Sequence, residues 1–300
     1  MTKVYRLIVI VLLILPCAGI SKQLIQIPGP RSAYDISHDY HVKLLKLALE
    51  AGAKDKPIPE IRASMEMVEG RALRELVKGQ WLDLYWLGTD KEKERQLRAI
   101  RIPTTRGLIG FRKFQLHRDT VPRMDKVTTL EALQQLVACQ GTDWPDTDIL
   151  RQAGLKVTTT PNYEKLFDML QARRCDYFPR GYHDHSKELI LRAQHYPDLV
   201  SYDGILLHYP FAVYFFTSKT NEELARWIER GLEKLIDNGD FIQFMQSHPL
   251  TRHIFPLTDQ QNVRYFQIDN PLLPSETNYQ NPRYWFKPTD FGIQLSAGDN

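Results

Sequence analysis

Short β-prone runs alternate with amphipathic helical stretches along most of this chain, and that alternation restricts its fold more than any single motif. The apolar run Leu24 to Ile27 ends at Pro28, Gly29 and Pro30, as a buried strand entering a turn does. Leu44, Leu45, Ala48 and Leu49 then recur at helical spacing, with Asp39 near the start of the segment and Gly52 at its end. Ile61 to Met67 predicts a strand, Arg71 to Lys78 a helix closed by Gly79, and Trp81 to Leu87 another strand. Three β–α alternations in roughly the first ninety residues predict an α/β layered domain with a largely parallel sheet.

After the charged segment Asp90 to Arg101, Gly107 to Leu116 predicts a long strand, and a second α/β unit follows. Thr129 opens a helix, Val137 to Gln140 is a strand, and Asp146 to Ala153 is a helix closed by Gly154. Lys156 to Thr160 and Asp176 to Pro179 are strands flanking a helix from Tyr163 to Arg173, and a further helix from His183 to His195 ends at Pro197. Ile205 to Thr217 reads as one long apolar strand region. Asn221 then caps an amphipathic helix through Ile236, followed by a short helix through Phe241 to Met245. From His248 the chain becomes rich in Pro, Asn and aromatic residues and reads as an irregular wrap.

The first residues carry an address. Lys3 and Arg6 precede the unbroken apolar run Leu7 to Leu15, followed by Pro16, Cys17, Ala18 and Gly19, the layout of a cleaved secretory signal peptide. That run makes only about 14 Å of helix at roughly 1.5 Å per residue, about half a bilayer's hydrocarbon core, so a retained anchor fits less well. Cys17 raises lipid attachment, but Pro16 stands where a lipobox wants Gly or Ala. Beyond the leader two cysteines remain, Cys139 and Cys175. A core of this size needs no staple, so the sequence leaves their pairing open and leans toward free thiols. The 39 Lys and Arg against 36 Asp and Glu leave a net charge of +3 over 300 residues, and +1 once Lys3 and Arg6 are removed, which is no polyanion-binding balance and argues against nucleic acid as a partner.

Four segments, taken in order, resemble the amino-acid-binding extracellular solute-binding proteins of family 3, the type II periplasmic binding proteins. Gly70-Arg71-Ala72-Leu73 through Asp83-Leu84 is similar to that family's helix and strand with an acidic residue between them. Thr89 through Glu94-Arg95 to Ile102-Pro103 resembles its T…ER…F-S-x-P segment. Gln140-Gly141-Thr142 resembles its Gly-Thr/Ser turn, and Asn162 through Leu170 to Arg174-Cys175-Asp176 the segment before its second crossing. The resemblance covers about residues 23–250 and implies a two-lobed α/β fold with two mixed, mostly parallel sheets joined by a two-crossing hinge. The implied divisions are a signal peptide over 1–21, a discontinuous lobe 1 over 22–116 and 206–250, lobe 2 over 117–205, and an extension over 251–300 wrapping lobe 1. The hinge falls at 116–119 and 202–205.

Ligands of such folds sit at the carboxyl ends of strands, where loops and helix N-termini offer free N–H groups. The resemblance implies that Arg95 forks onto a ligand carboxylate, with Arg98 and Arg101 close enough to take its place. Gly141 and Thr142 form the turn that approaches the ligand, and Asp143 either joins them or caps the next helix. The family usually sets an acidic residue for the ligand's ammonium after the strand beginning at Asp176, whereas this chain has Arg180 there. A cation at that point favours a carboxylated or anionic ligand, unless Arg180 is tied up through Asp184. Tyr34, Trp86 and Trp144 are placed to supply apolar walls.

Chemistry-bearing patterns are sparse. His183-x-His185 lacks a third ligand in register, so a metal site is not expected. Glu66, Glu69 and Asp83 offer only an unspecific carboxylate set for glycan chemistry. No nucleophile elbow, P-loop or zinc-protease motif occurs. The expectation is a monomeric periplasmic binding protein, not an enzyme and without a cofactor, that passes a small-molecule ligand to an inner-membrane ABC permease or a sensor receptor. The alternatives are an interaction or sensory module whose cleft no longer binds a free solute and, further off, a hydrolase.

Overall fold

A computed structural model describes residues 24–257, 260 and 263–294. The leader, with its cleavage site and Cys17, lies outside the described residues. Lobe 1 begins with β1 (Leu24–Ile27), α1 (Ile36–Gly52), β2 (Glu60–Ala63), α2 (Glu69–Lys78), β3 (Leu84–Gly88), α3 (Lys91–Gln96) and β4 (Leu97–Ile100). Asp35 caps α1, accepting a hydrogen bond from the His38 amide. The charged segment Asp90 to Arg101 forms a helix and a strand. Asp90 caps α3 by accepting from the Lys93 amide, and the alternating Leu97 and Ala99 bury one face of β4.

The chain then enters lobe 2: β5 (Phe111–His117), α4 (Val121–Met124), α5 (Leu130–Leu133), β6 (Val137–Gly141), α6 (Pro145–Gln152), β7 (Lys156–Thr160), α7 (Tyr163–Gln171), β8 (Phe178–Gly181), α8 (His185–Arg192) and β9 (Leu199–His208). It returns through β10 (Val213–Ser218), α9 (Glu222–Asp237) and α10 (Asp240–Ser247), and ends in an extension containing β11 (Arg264–Gln267). The apolar region Ile205 to Thr217 is therefore two strands, split where Pro210 cannot donate to a ladder.

Lobe 1 combines a parallel pair with an antiparallel three-stranded sheet, and lobe 2 a mixed four-stranded sheet with a parallel pair. The β1–β2, β6–β7 and β9–β11 pairs are parallel. β10 lies antiparallel between β3 and β4, and β5 lies antiparallel between β8 and β9. The antiparallel share exceeds the sequence expectation because β5 and β9 carry the chain out of lobe 1 and back, and so run in opposite senses side by side. β5 and β9 pair side by side with a break in register between Arg112 and Phe114, and beyond their ends the Tyr209 amide donates to the Gly110 carbonyl at 3.1 Å.

Lobe 1 is closed by two helices that are distant in sequence. Leu44, Leu45, Ala48 and Leu49 of α1 pack on Trp227, Ile228 and Leu232 of α9, and Trp227 Nε1 donates to the Leu49 carbonyl at 2.9 Å. Gly231 makes the approach possible: a Cβ there would lie 1.7 Å from the Ala48 carbonyl oxygen. In lobe 2, Cys139 of β6 and Cys175 before β8 form a disulfide with Cα atoms 5.6 Å apart, so the leaning toward free thiols is overturned. The cause is the parallel bridge between Ala138 and Tyr177, which aligns the two segments.

Candidate functional site

A cavity of about 90 Å³ lies between the lobes. Lobe 1 lines it with Arg31 from the loop after β1, His41 of α1, Glu69 at the start of α2, and Trp86 of β3. Lobe 2 supplies Arg112 of β5, Trp144 and Asp146 at the N-terminus of α6, and Arg180 of β8. A smaller pocket adjoins it at the mouth, sharing Arg31, Glu69 and Trp144 and reaching Glu66, Gly141 and Tyr163. His41 stacks on Trp86 with ring centroids 5.0 Å apart and planes 3° from parallel. Burial drives the His41 imidazole down to about 3, so this wall is neutral and largely apolar.

Each of the three arginines already has a carboxylate. Arg31 Nε and Nη2 donate to the Asp35 oxygens, both at 2.8 Å, and its guanidinium lies 4.2 Å from the centre of the Tyr163 ring on the opposite lobe. Burial pushes the Asp35 carboxyl up, and Arg31 more than reverses this, holding it well below the usual carboxylate range. Arg180 forks onto Glu188 with two 2.7 Å bonds, and its Nη2 lies 3.6 Å from Asp184. Arg112 pairs with Asp146, which also accepts from the Tyr209 hydroxyl.

Two cavity-lining groups keep a hydrogen-bonding position unused. Arg112 Nε is buried and donates to nothing. Glu69 Oε1 is buried and accepts nothing, although Lys93 Nζ stands 3.6 Å away. Burial raises the Glu69 carboxyl to about 7, with Lys93 and Arg31 pulling against that rise. One of these groups is a carboxyl and the other a guanidinium, and they come from opposite lobes.

Of the residues singled out in the sequence, the structure brings Trp86, Trp144 and Arg180 to the cavity and Gly141 to the adjoining pocket. Arg180 is tied up through Asp184 and, more strongly, through Glu188, so its charge is answered within the protein. Gly141 makes room for an aromatic ring: a Cβ there would lie 2.4 Å from the Trp144 indole. The Thr142 amide is spent on the Thr160 carbonyl at 3.1 Å. Asp143 does not cap α6; its carboxylate accepts from the Gly70 amide across the cleft at 3.2 Å. Tyr34 stands outside the cavity, its hydroxyl 3.5 Å from His195 Nδ1 of the other lobe.

Arg95 is not brought to the cleft. With α3 capped at Asp90, residues 92 and 95 fall one turn apart on its outer face, and Arg95 bonds Glu92 in solvent. Arg98 pairs with Glu222 and Glu229, and Arg101 with Glu94, so neither takes its place. His183 and His185 diverge toward Asp184 and Asp203, and among the described residues no group of three His, Cys, Asp or Glu side chains could hold a metal ion. The sequence reading passed over Arg31, Arg112 and Asp146. Arg112 lies between Phe111 and Lys113 in β5, whose polar residues are buried along with the apolar ones, and is itself 1% exposed.

A two-lobed α/β molecule with a polar cavity at the junction, crossed twice by the chain, has the type II periplasmic binding protein fold. Among solved structures the chain is similar to a histidine kinase sensor domain with similarity to periplasmic binding proteins (TM-score 0.55, 16% identity, covering 76% of this chain and 96% of that one). It is also similar to a Salmonella typhimurium periplasmic binding protein of high arginine specificity (0.55, 12%, 76% and 99%). A third is a Silicibacter pomeroyi His/Glu/Gln/Arg/opine family-binding protein in complex with lysine (0.54, 10%, 75% and 95%). No protein-family model and no curated protein matches the chain.

Proposed function

We propose that this chain is an exported solute-binding protein that takes a small carboxylated, amino-acid-like solute between its lobes. The observation that carries this reading is the pair of unused positions, Glu69 Oε1 on lobe 1 and Arg112 Nε on lobe 2, in one cavity walled by Trp86 and Trp144. A zwitterion satisfies both: its ammonium faces Glu69 and its carboxylate faces Arg112, and simultaneous engagement of the two favours closed lobes. Arg180 contributes shape and a cation against Trp144 at 5.3 Å, while its net attraction for an anion is largely cancelled by Glu188. Gly141 lines only the adjoining pocket, Tyr34 and Thr142 line neither, and Arg95 bonds Glu92 on the outer face of α3.

The disulfide supports export to an oxidising compartment, as does the basic-then-apolar start of the sequence. Delivery to an inner-membrane ABC permease and docking on a sensor receptor are the two uses of such a closed form. The likeness to a kinase sensor domain keeps the second in view. The test is thermal stabilisation of the chain by amino acids, dicarboxylates, amines and short peptides. A ligand at 100 times its Kd should stabilise by about 2.7 kcal/mol. Zwitterions should stabilise the parent and stabilise Glu69→Gln much less. Stabilisation by dicarboxylates alone, or equal stabilisation of both forms by zwitterions, refutes the assignment.

A further inference from the structure

We propose that the segment from Val263 to Ile293 is a strap that limits how far the two lobes can separate. This goes beyond the ligand reading and does not depend on it. The expected role for the tail was a wrap around lobe 1, and part of it does that. Trp285 is 2% exposed among the apolar side chains packed on β3 and β10, and the Phe286 amide donates to the Arg106 carbonyl at 2.8 Å.

The same segment is fastened equally firmly to lobe 2. β11 adds a parallel strand to β9, from Arg264 opposite Ile205 to Gln267 opposite His208. The Arg264 guanidinium collects the carbonyls of Met124 at 3.2 Å, Asp125 at 2.9 Å, Val127 at 2.6 Å and Gly204 at 3.0 Å, and also meets the Tyr202 hydroxyl. A tail that merely covers lobe 1 has no need of these bonds. Between the two anchorages the strap is held at the crossing, where Asn270 Nδ2 donates to the Pro210 carbonyl at 2.8 Å. It is then held on α3, where the Lys91 amide donates to the Leu272 carbonyl at 3.1 Å. His208, on the returning strand, meets the hydroxyls of Tyr265 at 2.8 Å and Tyr279 at 3.2 Å, one at each ring nitrogen.

The geometry sets a limit. From Ile268, whose amide donates to the His208 carbonyl at 3.0 Å, to Leu272, whose carbonyl accepts from the Lys91 amide of lobe 1, the chain takes four steps, which span at most roughly 14 Å when fully extended. Wider separation at this point requires a fastening to break, so the strap turns a free hinge into one with a stop.

The test measures lobe separation in the full chain carrying Cys17→Ser, with spin labels on Glu66→Cys and Thr142→Cys, two exposed positions on opposite lobes, the first lining the smaller pocket and the second next to Gly141, which lines it too. Inserting Gly-Ser-Gly-Ser between Asp269 and Asn270 keeps both fastenings and adds up to roughly 14 Å of reach. The distance distribution should broaden and its mean lengthen by about 5 Å or more, a fraction of the added reach. Arg264→Ala should shift it the same way. The same insertion between Asn238 and Gly239, a turn with open space around it, should leave it unchanged. An unchanged distribution in the strap insertion, or an equal shift in the control, overturns the proposal.

Discussion

Replacing Glu188 with Ala should cost more stability than any other single truncation in the cleft region. This carboxylate is 2% exposed and accepts from Arg180 Nε and Nη2 at 2.7 Å, the Tyr163 hydroxyl at 2.5 Å and Gln115 Nε2 at 3.1 Å. Its loss leaves the Arg180 guanidinium buried with only Asp184 at 3.6 Å. Breaking a buried pair from one side costs about 3–5 kcal/mol, because the remaining charge has lost its compensation. At roughly 2–4 °C per kcal/mol for chains of this size class, the Tm should fall by about 10 °C.

The pH dependence of that loss has a defined sign. Burial pushes the Glu188 carboxyl up, but Arg180 more than reverses this and holds it below its ordinary value of 4.5. A depressed carboxyl contributes stability that is fully present above the unfolded value and is lost as pH falls through the folded one. The Tm gap between the parent and Glu188→Gln should therefore be constant from about pH 6 to 8 and shrink below about 4.5. Melting curves followed by circular dichroism at stepped pH read both effects. A Glu188→Ala variant melting within about 2 °C of the parent, or a gap that does not narrow in acid, refutes the account of Arg180 as an internally neutralised cation.

Two further outcomes are expected. Glu69 has the opposite sign: its folded value of about 7 lies above the unfolded one, so stability is lost as pH rises from about 4.5 to 7, and Glu69→Gln should melt above the parent at pH 8 but not at pH 5; superimposable pH profiles would contradict this. Replacing Cys139 and Cys175 together by Ser opens a link between residues 36 apart and should cost about 3–4 kcal/mol by the chain-entropy relation, so a reductant should lower the parent Tm and leave the double variant unmoved.

The two-lobed plan was legible because each strand and helix carries its own local signal. The apolar stripe of α1, the Gly79 stop after α2 and the start of α7 at Tyr163 all fall where the sequence places them. Of the side chains picked out in the sequence, Trp86 in β3 and Trp144 just before α6 line the cavity. Arg95 misled because its local pattern matches, whereas its direction is set by the turn of α3 that Asp90 starts. Arg180 lines the cavity, yet its electrostatic meaning depends on Glu188 in the next element, α8, whose turn carries that carboxylate back over it. The strap was the least legible feature. Its strand β11 is four residues long and exists because β9 offers an edge, which no property of Arg264 to Gln267 announces.

The pairing of α1 with α9 also imposes a schedule on biosynthesis. Lobe 2 is contiguous from Phe111 to His208 and has all its strands but β11 once β9 is made. At roughly 5–20 residues per second, the 178 positions separating Leu49 from Trp227 take about 10–35 s to synthesise. Through that interval α1 has the strands of lobe 1 on one side but lacks α9, the helix that covers the rest of its apolar stripe. Lobe 2 is thus the nascent chain's first finished unit, and lobe 1 is its exposed, aggregation-prone half, held open until the last third of the protein arrives.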